Sequence, residues 1–96
     1  MLKYLKEHIL EEIDGALDYM EKALEHKGTY MGCTFRNMSE MELEHANALS
    51  KMFKDTDKPD EMSSTEYADT QKAVLDKYIT AMGKIEAMKK LYWNND

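Results

Sequence analysis

Residues 11–49 read EEIDGALDYMEKALEHKGTYMGCTFRNMSEMELEHANAL, and this stretch decides the fold. Two runs rich in Glu, Leu, Ala and Met flank a single break at Gly28-Thr29, directly after Glu25-His26-Lys27. A glycine just past a basic last turn is a helix stop. The segment therefore predicts two antiparallel helices joined by a short turn. Outward from it, one Pro and four Gly in 96 residues leave little to interrupt helix. The other break is Asp55-Thr56-Asp57-Lys58-Pro59-Asp60, after which Ser63 and Glu66 have the form of a capping box. The prediction is an all-α chain, one domain over residues 1–96, with helices near 2–27, 30–54 and 63–93.

Composition narrows the function classes. Apolar residues make up 43% of the chain, a thin core for a monomer carrying helices of this length. Such helices are expected to find partners outside the chain. Thirteen basic residues against nineteen acidic ones give a net charge of −6 with no basic cluster. That excludes nucleic acid and anionic membrane surfaces as natural partners. A single cysteine, Cys33, cannot build an intrachain disulfide framework or a Cys-only metal site. A reducing, cytoplasmic setting is expected. The first residues, MLKYLKEHILEE, lack the apolar run of a signal peptide, and no stretch approaches a bilayer span.

Residues seven apart lie nearly above one another on a helix, so each stripe can be read for its direction. In the first helix the core stripes are Leu2, Ile9, Ala16, Ala23 and Leu5, Glu12, Tyr19, His26. Glu12 thus stands in an apolar line, whereas Glu11 shares its stripe with Tyr4, Asp18 and Glu25. In the second helix the expected inward stripes are Met31, Met38, His45, Met52 and Phe35, Glu42, Leu49. Glu42 and His45, three apart, share one face. A carboxylate at a core position is costly unless paired or bound to a cation. If the chain reverses near Gly28, residue i faces roughly residue 56 − i. Glu12 then meets the level of Glu42 and His45. Helix 3 offers no such interruption along Tyr67, Val74, Ala81, Met88, and reads as a packing element. Gly15 and Gly83 fall on polar stripes inside long helices, as surface glycines or as points where another chain packs closely.

A helix-borne Glu12, Tyr19 seven residues on, and Glu42-x-x-His45 on the next antiparallel helix resemble half of a di-iron carboxylate site. The segments concerned are residues 11–24 and 40–49. They are similar to the ferritin-like superfamily, and within it to the half-length encapsulated ferritins, whose first Glu and Glu-x-x-His are also thirty residues apart. The resemblance implies a ferritin-like four-helix bundle completed by dimerisation. It implies Glu12, Glu42 and His45 as ligands of a di-iron site, with manganese as an alternative metal, and Tyr19 beside them. Glu11 and Asp14 fall where that family carries acidic residues at a metal entry site.

Two Glu and one His cannot satisfy two metals, but a two-fold axis doubles the set to four Glu and two His. The expected partner is therefore a second copy, in a homodimer or larger even-numbered oligomer. The expected activity is oxidation of Fe(II) to Fe(III) by O₂ or peroxide, a ferroxidase. The alternatives are a peroxide-reducing di-metal protein with a separate electron donor, and a non-enzymatic helical adaptor. A protein shell as partner follows from the family, although the terminal KKLYWNND (residues 89–96) does not look like a cargo peptide.

Overall fold

Three helices, α1 (Leu2–Glu25), α2 (Tyr30–Lys54) and α3 (Ser64–Trp93), follow one another in a computed structural model describing residues 1–94. The last two residues of KKLYWNND, Asn95 and Asp96, lie outside the described residues. Each boundary has a local cause. α1 ends as Gly28 takes φ = 85°, a left-handed conformation that a side chain resists. Thr29 then caps α2, its hydroxyl accepting from the Gly32 amide at 3.1 Å. Ser63 caps α3 by accepting from the Glu66 amide, also at 3.1 Å.

α1 is the central element, packing along its length against α2 and, on another flank, against α3, while α2 and α3 barely meet. Leu2, Leu5, Ile9 and Ile13 join Ala46, Phe53, Val74 and Ala81 in one apolar cluster. Ala16, Met20, Ala23, Ile85 and Tyr92 form a second cluster further along α1. α3 is the packing element that its uninterrupted stripe implied. Its far end is held by the Lys27 ammonium on the Leu91 carbonyl at 2.9 Å and by Arg36 stacked on the Trp93 ring, 4.4 Å from its centroid. Among the described residues, no helix is long and apolar enough to cross a membrane.

The inward face of α2 differs from expectation by one position. The buried stripe is Gly32, Ser39, Ala46 and Phe53, and not Met31, Met38, His45 and Met52. Its cause is close approach. A Cβ on Gly32 would meet the His26 carbonyl at 2.2 Å, and the buried Ser39 hydroxyl donates to the Ala16 carbonyl at 2.6 Å. Small residues let the two backbones come together, which turns the methionine stripe outward. Met31, Met41 and Met52 are consequently exposed within this chain.

Candidate metal centre

Close packing of α1 on α2 sets the level at which their side chains meet. Glu12 stands one turn before Ala16, and Glu42 one turn after Ser39, on the flank of the seam. Glu12, Glu42 and His45 each place one ligand-type atom there, all within 4.8 Å of one another. His45 Nδ1 lies 3.6 Å from Glu12 Oε2, an ion-pair distance when the imidazole is protonated but beyond a hydrogen bond. His45 is 58% exposed and Glu12 22%. The cluster is therefore a flank site, open on the His45 side.

Two carboxyls at this separation repel when both are ionised. The Glu42 carboxyl is pushed up to about 7, first by its hydrogen bond to Glu12, then by burial and by the Glu12 charge. His45 pulls in the opposite direction. Repulsion between like charges is relieved by a proton or by a cation. Glu12 Oε2 is covered from solvent and has no hydrogen-bond partner. A buried carboxylate oxygen left unpaired is a cost that bound metal removes. Two carboxylates and one imidazole are the donors that suit Fe(II) or Mn(II) better than soft metals. The residues present thus fit a divalent iron.

Asp14 lies apart from this group. It lines a groove between α1 and α3 with Asp76 and Lys84, because two residues along a helix turn the side chain by about 200°. Glu11 and Asp14, three apart on α1, stand on one exposed side of the helix, outside the cluster. Glu11 is exposed on the flank of α1, 3.9 Å from His8 Nδ1. Tyr19 is half-buried and stacks on Phe35, ring centroids 6.1 Å apart. Among the polar neighbours on α2, Glu40 pairs with Lys89 at 3.4 Å and Glu44 is exposed. α3 contributes none of the three clustered groups.

The rubrerythrin family model matches residues 3–96, almost the whole chain. The chain belongs to the rubrerythrin family. This places it in the ferritin-like superfamily, in agreement with the half-length resemblance carried by Glu12, Glu42 and His45. Rubrerythrin-type domains hold a di-iron site, and the acid–imidazole cluster is where this rubrerythrin-family chain has donors to offer. No curated protein and no solved structure matches it.

Two small residues shape the site without a hydrophobic signal in the sequence. Gly15 underlies Glu42: a Cβ there would stand 2.9 Å from Glu42 Oε2. Ser39 fixes the seam from within. Both are small residues, which carry little hydrophobic signal. The available clue was the seven-residue spacing of Gly32, Ser39 and Ala46.

Proposed function

We propose that this rubrerythrin-family chain is a ferroxidase that oxidises Fe(II) to Fe(III) at a di-iron site shared between two copies. The observation that carries the reading is the half set of ligands, two carboxylates and one imidazole within 4.8 Å, on an open flank. Two six-coordinate irons need about twice that number of donors, and a two-fold axis through the flank supplies them. The outward methionine stripe of α2 lies on the His45 side and offers the apolar surface for such a partner.

In this reading Glu12, Glu42 and His45 hold Fe(II) as substrate. Two irons each give up one electron, and O₂ with two protons takes both to become hydrogen peroxide. The chain's own groups position and neutralise. Binding displaces the proton that Glu42 holds, and the Glu12 carboxylate and the His45 imidazole supply the other donors. Membership of the rubrerythrin family favours a second reading, with peroxide as the substrate reduced and electrons arriving from a separate donor. Stopped-flow oxidation of anaerobically loaded protein distinguishes them. Ferroxidase action gives rapid Fe(III) absorbance with O₂ and release of peroxide. Faster turnover with peroxide than with O₂, sustained only by added reductant, would establish the second. Absence of stoichiometric iron binding would leave a helical adaptor.

A further inference from the structure

Three glycines lie within helices, and their surroundings differ. Gly32 is pressed against the α1 backbone. Gly83 has nothing within 4 Å of where a Cβ would stand. The three heavy atoms nearest to where a Cβ on Gly15 would stand all belong to the Glu42 side chain, with Oε2 at 2.9 Å, Cδ at 3.5 Å and Cγ at 3.7 Å. Real Cβ atoms essentially never sit that close to another heavy atom. Among the described residues Gly28 alone has positive φ, so the Gly15 backbone gives no reason of its own for a glycine. Glycine is also among the poorest residues for a helix interior. What its absent side chain provides is room.

We infer that Gly15 is a positioning residue: it keeps open the space on α1 in which the Glu42 carboxylate lies beside Glu12. The inference rests on the reading of Glu12, Glu42 and His45 as iron ligands. Gly15 follows Glu12 by three residues, so the two lie on neighbouring turns of one face. Glu42, reaching across from α2, rests its carboxylate over the bare backbone between them. A methyl group at position 15 meets the far end of a flexible side chain. Moving that end costs the fold little, but it moves a ligand by a distance comparable to the tolerance of a coordination bond. Stability and metal affinity should therefore change in opposite directions.

The test compares Gly15→Ala with Gly83→Ala, using anaerobic Fe(II) titration and thermal unfolding of the metal-free proteins. Both variants gain helix propensity, so each should melt higher by about 4 °C. Gly83→Ala should bind Fe(II) like the wild type. Gly15→Ala should bind on the order of tenfold more weakly, the loss expected when a ligand's support is disturbed. Equal Fe(II) affinity in Gly15→Ala and wild type overturns this inference alone, as does an equal loss in both variants. A wild type that binds no Fe(II), or binds it unchanged in Glu42→Ala, overturns the ligand reading and this inference with it. A Gly15→Ala protein that melts well below wild type would show that Gly15 serves packing instead, and would equally count against it.

Discussion

The Ser39 hydroxyl donates to the Ala16 carbonyl across the α1–α2 seam at 2.6 Å, with both residues fully buried. This bond sits one turn from both Glu12 and Glu42, so the contact that closes the seam also sets the level of the acids. Ser39→Ala removes the bond but keeps the small volume, and should cost about 1 kcal/mol. Ser39→Leu overfills the seam, should cost roughly 1–3 kcal/mol, and parts the carboxyls. Urea unfolding of metal-free protein measures the first effect. For Ser39→Leu, Fe(II) affinity should fall further than in Ser39→Ala; equal affinities would mean that the seam does not govern the site.

Ligand and neighbour substitutions should separate cleanly. Glu12→Ala, Glu42→Ala and His45→Ala should each abolish rapid Fe(II) oxidation, since each removes a donor twice over in a two-fold site. Glu44→Ala should leave the rate within a few-fold, because Glu44 is exposed and away from the cluster. Glu40→Ala loses only its ion pair with Lys89 and should behave alike. Asp14→Ala should have no effect on uptake, given its place in the α1–α3 groove. Glu11→Ala should slow uptake if the exposed Glu11 guides iron inward. Initial rates at limiting Fe(II) distinguish these cases.

Much of this arrangement was legible in the sequence for local reasons. The helix ends are declared by Gly28 and by Ser63 with Glu66, and they lie within about two residues of expectation. The meeting of Glu12 with Glu42 follows from hairpin geometry alone, since opposed residues are fixed by the turn. On the inward face of α2 the hydrophobic pattern favours Met31 and Met38, whereas the buried residues are Gly32 and Ser39. Backbone approach selects for smallness, which a hydrophobicity reading does not register. The same effect hid Gly15, a residue defined by what it leaves empty.

The Glu42 carboxyl gives the metal-free protein a pH dependence of defined sign. Its folded value is about 7 against an ordinary 4.5. Between these values the folded state holds a proton that the unfolded chain has released. That contribution is fully present below about 4.5 and is lost as pH rises towards 7. Stability should therefore fall across this window, modestly, because Glu42 is only half-buried. Glu42→Gln should flatten the slope. Fe(II) affinity should run the other way, rising with pH up to about 7, because the metal must displace the proton. Thermal melts and anaerobic titrations between about pH 4 and pH 8, which bracket the window from 4.5 to 7, check both.

The exposed methionines predict where a second copy should sit. Met31, Met41 and Met52 stand out from α2, on the side to which His45 opens. A partner there would cover apolar surface and bring four carboxylates and two imidazoles together. Without a cation that gathering of acids is unfavourable, so iron should tighten association and chelation should loosen it. The double substitution Met31→Glu with Met52→Glu adds charge to the apolar part of the face while leaving Glu12, Glu42 and His45 intact. It should shift the protein towards monomer and lower iron bound per chain. Ile79→Glu adds one charge to α3 at exposed Ile79, which lines a groove with Asn47 and Ser50 and none of the clustered groups, and should leave the iron-dependent association step unchanged. Light-scattering mass at several protein concentrations, with Fe(II) under argon and with chelator, reads the outcome. Iron-loaded wild type at monomer mass would remove the shared site, and with it the reason for two chains to complete one set of ligands.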